Sequence, residues 1–161
     1  MIAFKHIKHL VKKSFYCSIA TVHNGVPHCS PVGSVYLEND KQGYYLEMFT
    51  TAVQKSKATN PMGCILVVNT SVLFWLTSLF TGKFATPPAV RLLVEFGERR
   101  PTSENEKERF NKRVNIFKRL KGHGILWGRP AHVRTFLIQE IIPVSLGKMT
   151  QVDYGEQSAV Q

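Results

Sequence analysis

The chain has 161 residues, 43% of them hydrophobic, with 21 Lys and Arg against 11 Asp and Glu for a formal net charge of +10 and a pI near 9.7. That length suits one domain with a sizeable core and argues against a second independent one. Cys17, Cys29 and Cys64 include no CxxC and make no disulfide framework; each falls in or beside an expected strand, as small buried hydrophobes do.

Residues 1–13 place Phe4, Ile7, Leu10 and Val11 at three- and four-residue spacing, which predicts a helix closing one end of the fold. The same stretch lacks the uninterrupted apolar core and cleavage site of a secretory signal, so a cytoplasmic location is expected. Residues 18–23 carry the β-formers Ile19, Thr21 and Val22, and Asn24-Gly25 supplies the two positive φ angles of a hairpin turn. Residues 26–37 are expected as one return strand, 39–43 as a turn and 44–49 as a third strand, ending at Phe49. Beyond it Thr50, Thr51, Gln54, Lys55, Ser56 and Lys57 gather hydroxyl, amide and ammonium donors within eight residues, the set that a phosphate needs. A helix start with a Thr cap and solvated lysines accounts for the same residues.

From Ala58 to Gly82 the chain has 25 residues without a charge, long enough to span a bilayer on paper. Asn60-Pro61 and Gly63 open the run, and Asn69-Thr70-Ser71 place three polar side chains at its centre. The expectation is therefore a strand at 64–68, a polar turn able to cap a helix, and a short helix at about 72–80. That helix is apolar nearly all round and needs cover from the barrel, a second subunit or a lipid surface.

Residues 90–97 predict a further strand, and Ser103-x-x-Glu106 a capping box for a helix over 104–120. Within it the run 107–121 is rich in Lys and Arg, while Phe110 and Phe117 stand seven apart on one face. This reads as an amphipathic helix with a solvated basic face rather than a nucleic-acid reader. Gly122-His123-Gly124 is expected to stop it, 132–142 to form the last strand, and 151–161 to be a flexible tail. Strands with inserted helices disfavour a βαβ sheet and favour a mainly β Greek-key barrel, one domain over 1–150 with a helical insert near 71–82.

Several blocks recur together: Ile19-Ala20-Thr21 through Gly25 to Pro27; Thr50, Lys55 to Lys57 and Asn60-Pro61; Ile125 to Gly128, His132 to Arg134 and Gly147 to Thr150. In this order and spacing the chain resembles the flavin-binding split barrels of the pyridoxamine 5'-phosphate oxidase family. The resemblance implies a six-stranded antiparallel Greek-key split barrel that binds FMN. Its phosphate would lie on Thr50, Thr51, Gln54, Lys55, Ser56 and Lys57 beside Phe49, and its ring on the main chain of Pro31, Val32, Gly33 and Ser34. From residue types alone, 30–34 is equally a β-bulge at a barrel corner. The resemblance also implies a homodimer with the cofactor at the interface, reached by Trp127, Arg129 and Arg134; packing and solvated charge are the plain alternatives for those three.

The chain departs from the family where substrate is gripped. Residues 31–37 (PVGSVYL) carry no basic side chain, and the C-terminal Arg-x-His pattern is absent. Oxidation of pyridoxamine phosphate is therefore not expected. Two functions stay open: an FMN-dependent oxidoreductase acting on a small substrate, and a non-catalytic flavin, haem or deazaflavin binding module for storage, sensing or stress protection. The six histidines form no HExxH or Cys/His cluster, although His6 and His9 are three apart on a helix, and no GxSxG, GxGxxG or Walker loop occurs. No metal, nucleic-acid or membrane partner is expected.

Overall fold

A computed structural model describes residues 4–48, 53, 55, 60–128 and 131–150. Helix α1 (Phe4–Lys13) buries Ile7 and Val11, one turn apart, and leaves its lysines outside. Strand β1 (Cys17–His23) alternates, with Cys17, Ile19 and Thr21 inward, and pairs antiparallel with β2 (Val26–Val32) from His23↔Val26 to Cys17↔Val32. The turn between them has φ of 51° at Asn24 and 76° at Gly25, the left-handed pair that a two-residue hairpin demands.

The expected single return strand over 26–37 is two strands. β2 stops at Val32, and β3 (Val35–Leu37) resumes after Gly33-Ser34 and pairs with β4 (Gln42–Leu46) instead of β1. The cause is local. Pro31 lacks a ladder donor, and the Ser34 hydroxyl takes over the bonding to Leu46, donating to its carbonyl at 3.2 Å and accepting from its amide at 3.1 Å.

β5 (Met62–Val68) leads through Asn69 into α2 (Val72–Thr81). Ser71 caps that helix by accepting from the Phe74 amide at 3.3 Å, and Gly82 ends it at φ 67°. The charge-free run is thus a strand, a cap and a ten-residue helix; no helix among the described residues is long and apolar enough to cross a membrane. The inner side of α2 is pinned by Trp75, whose indole donates to the Asn69 carbonyl at 2.7 Å, and by the stacking of Phe74 on Phe84. Its outer side, Val72, Leu73, Leu76, Leu79 and Phe80, is exposed, Phe80 at 95%.

β6 (Ala89–Pro101) runs longer than expected. The Ser103–Glu106 capping box forms and starts α3 (Glu104–Val114). The helix expected over 104–120 ends early: a 3-10 turn occupies Asn115–Phe117, and Gly122-His123-Gly124, expected as a stop, opens a short helix, α4 (His123–Trp127). The tighter turn brings Phe117 to ring contact with Phe15 and Trp127. β7 (His132–Pro143) closes the sheet, whose order is β2-β1-β5-β6-β7-β4-β3, antiparallel throughout. Seven strands stand where six were expected because of the break at Gly33.

Period-two alternation divides the core. Tyr45 points into the larger cluster with Ile7, Ile19, Ile65, Leu92 and Phe136. Its neighbour Tyr44 points to the other face, where Leu46, Phe110, Val114 and Val133 pack and Trp127 is half-buried. Each such side chain contributes about 1.5–3 kcal/mol by leaving water. The second cluster anchors α3 and so builds one wall of the site below.

Candidate functional site

The two edge strands of the sheet, β2 and β3, are consecutive in the chain and joined by Gly33-Ser34. The barrel is therefore split at that joint, and among the described residues the outer side of β2 has no neighbouring strand. A pocket of about 200 Å³ lies at the split. Pro31, Val32, Gly33 and Ser34 form one wall; Phe15 and Tyr16 form a second; Phe110, Arg113 and Val114 of α3 face them, with Leu46, Met48, Leu126 and Trp127 completing it.

Each wall is fixed by its own element. Ser14 ties the turn after α1 to the sheet, its hydroxyl donating to the Val68 carbonyl at 2.8 Å, and so sets Phe15 and Tyr16, whose rings meet edge-on at 4.5 Å. Trp127 sits 5.5 Å from both the Phe117 and His123 rings. Arg113 donates to the Ser14 carbonyl and lies 5.7 Å over the Tyr36 ring, which stacks on Tyr44 at 5.2 Å. Burial raises the Tyr36 phenol above its ordinary range, against the opposing pull of Arg113, so the phenol is neutral at physiological pH. A side chain at Gly33 would put its Cβ 3.1 Å from the Phe15 carbonyl oxygen, a tight contact that would push the two walls apart by a few tenths of an ångström.

Aromatic walls, an edge strand and one half-buried guanidinium suit a flat ring with a polar edge and a nearby negative charge. The bare cleft at Gly33 is the feature that fits such a ring most directly. Among the described residues no cluster of His, Cys, Asp and Glu could hold a metal.

Five residues picked from the sequence, Pro31, Val32, Gly33, Ser34 and Trp127, come together in this pocket. The Ser34 hydroxyl is already engaged by Leu46, so its contribution there is main-chain. Phe49, Thr50, Thr51, Gln54, Ser56, Lys57 and Arg129 lie outside the described residues; Lys55 is exposed, beside a buried Val53. Arg134 lies apart from these. It does not line the pocket but is 5% exposed, with its guanidinium on Glu47 at 2.7 and 3.2 Å and on the Gly97 carbonyl at 3.2 Å. Glu47 also takes Arg99 at 2.9 Å, so two cations compensate one buried carboxylate. The expectation for the cysteines holds for Cys17, whose thiol burial pushes up to about 12, but Cys29 is exposed on edge strand β2 and Cys64 is half-buried.

The sequence reading missed Arg113, Phe15 and Tyr16. Arg113 was placed with the solvated basic face, but it and Arg109 turn inward, Arg109 donating to the Tyr44 hydroxyl at 3.2 Å. The one legible signal was the shared face of Phe110 and Phe117, which fixes which side of that helix meets the barrel.

No family model and no curated protein matches the chain. Solved structures do. HupZ from Group A Streptococcus superposes with a TM-score of 0.58 at 18% identity, over 90% of this chain and all of that one. An FMN-binding protein from Syntrophomonas wolfei subsp. wolfei gives 0.56 at 15%, over 89% and 92%, and a candidate pyridoxamine 5'-phosphate oxidase from Lactobacillus delbrueckii 0.53 at 15%, over 88% and 93%. The chain has the split-barrel fold of the pyridoxamine 5'-phosphate oxidase-like proteins.

Proposed function

We propose that this protein binds FMN at the barrel split and acts as an FMN-dependent oxidoreductase on a small substrate. The observation that carries the reading is the convergence of Pro31 to Ser34, Arg113 and Trp127 on one aromatic-walled pocket, in a fold shared with an FMN-binding protein. Bound there, the flavin supplies hydride or electron transfer. The chain's own part would be to orient the ring: the Gly33 main chain would approach its edge, Trp127 and Phe15 would shield it from water, and Arg113 would present positive charge beside it. Thr50, Thr51, Gln54, Lys55, Ser56 and Lys57 are the donors assigned to the phosphate. Replacing Lys55 and Lys57 together by Ala should weaken FMN far more than riboflavin, whereas equal losses count against that assignment.

At about 200 Å³ the pocket is smaller than small-molecule sites usually are, about 300–1,000 Å³. A second subunit supplying another wall accounts for this, and a homodimer would also cover the exposed face of α2. Pyridoxamine phosphate is not the substrate on this reading, because 31–37 carry no basic side chain, the guanidinium of Arg113 in the pocket is already engaged by the Ser14 carbonyl, and the diffuse net charge raises encounter rate without fixing donors. A turnover of ~1 per second or more with pyridoxamine phosphate, oxygen and saturating FMN would refute that.

The visible spectrum of the purified protein tests the cofactor and separates it from the alternative, a non-catalytic haem or deazaflavin module. Flavin bands near those of free FMN are expected; a Soret band instead would overturn the reading. Reduction of the bound flavin by a nicotinamide donor, followed by its reoxidation by an acceptor with turnover, then divides enzyme from binder.

A further inference from the structure

A second cleft, of about 670 Å³, opens between α1, β3 and α3 on the other side of Arg113. Five cations converge on it: Lys8 and Lys12 from α1, and Arg109, Lys112 and Arg113 from α3; Glu38 is the one carboxylate lining it. Two of the five are held in place. Arg109 and Arg113, one helical turn apart, lie 5.8 and 5.7 Å over the same Tyr36 ring, fixed by the Tyr44 hydroxyl and the Ser14 carbonyl. Among the described residues neither forms an ion pair, whereas Arg99, Arg100 and Arg134 all do. Like charges spaced one turn apart on a helix repel, and stacking both on one ring adds no neutralising charge. Among the described residues, exposed Lys12 has no ion pair, Lys8 donates to the Glu38 carbonyl at 3.4 Å, and Lys112 meets Glu108 loosely at 4.0 Å.

We propose that this cleft is a binding site for a ligand carrying two or more phosphate groups. The lining carries net +4, five cations against Glu38, more than a single phosphate's charge of about −1.5 to −2 matches. The guanidiniums offer planar donor forks to phosphate oxygens, and the lysines on the facing helix close over them as mobile point charges. The volume lies within the range of small-ligand sites. Arg113 lines this cleft and the pocket at the split alike, so the organic end of such a ligand points towards that pocket. The site does not depend on what the pocket itself binds.

The test is calorimetric titration of the full chain with inorganic tripolyphosphate, with and without saturating FMN, and with sulfate as control. The expected result is binding at least about tenfold tighter than sulfate, lost by a similar factor in Lys8→Glu/Lys12→Glu and in Lys112→Glu, with riboflavin affinity unchanged. Circular dichroism confirms that the variants fold, and the two helices give independent reports. Absence of binding at millimolar tripolyphosphate, or equal binding in the charge-reversed proteins, overturns the proposal. So does competition between tripolyphosphate and FMN but not riboflavin, which would make the cleft the flavin's own phosphate site. Preferential capture of duplex DNA or RNA through the same lysines also overturns it.

Discussion

Arg134 and Glu47 meet across the sheet in a two-point ion pair, Nε to Oε1 at 2.7 Å and the terminal nitrogen to Oε2 at 3.2 Å, with side chains 5% and 0% exposed. Taking two such charges out of water is offset only by good geometry, and removal of one partner strands the other. Arg134→Met should destabilise the fold by about 3–5 kcal/mol in urea titration, less whatever Arg99 recovers from its 2.9 Å contact with Glu47. Flavin affinity of the folded fraction should change little. Unchanged stability with lost flavin would return Arg134 to ligand contact.

The start of α3 gives a pH dependence of definite sign. The Arg100 guanidinium first, then the amide and hydroxyl of Ser103, lower the Glu106 carboxyl from 4.5 to about 2. The folded-state value is depressed, so the stabilisation is fully present above pH 4.5 and is lost as pH falls towards 2. Glu106→Gln should lose roughly 1–2 kcal/mol at pH 7, as a broken cap does, and flatten the acid limb of the stability profile. A variant whose acid limb stays as steep as wild type contradicts the assignment.

The three thiols should react in order of exposure. Cys29 is open, Cys64 half-buried with its thiol raised by burial, and Cys17 sealed in the core. Native protein treated with a chromogenic disulfide reagent should therefore show one fast thiol, lost in Cys29→Ser, with Cys17 appearing only on denaturation. Fast labelling of Cys17 in the native state would contradict the packing of β1.

The proposed homodimer would cover the exposed face of α2. Leu76→Ser with Phe80→Ser should shift a dimer towards monomer in sedimentation velocity without loss of fold, since Phe80 is 95% exposed and Leu76 59%. A double variant that sediments as wild type would place the interface elsewhere.

How far the sequence carried depends on whether the determinant was local. The hairpin at Asn24-Gly25, the Ser103 capping box and the division of the charge-free run at 69–71 are each set within a few residues, and each forms where the pattern places it. The break at Gly33-Ser34 was half visible. Pro31 and Gly33 mark an irregularity, but the transfer of β3 from β1 to β4 depends on the Ser34–Leu46 bonds, twelve residues apart. Glu47 as the partner of Arg134 spans 87 residues and leaves no mark in either neighbourhood. Arg113 shows the same limit: whether a helical cation is solvated or turned inward is decided by Tyr36 and Ser14, which the helix does not contain.

The central claim, a flavin at the barrel split, is tested most directly by fluorescence titration of FMN into the apoprotein beside the Trp127→Ala variant. The account predicts saturable quenching in the wild type and an affinity at least about tenfold weaker in the variant, as loss of a stacked aromatic contact of ~1.5 kcal/mol requires. FMN that fails to bind the wild type, or binds the variant equally well, would contradict it.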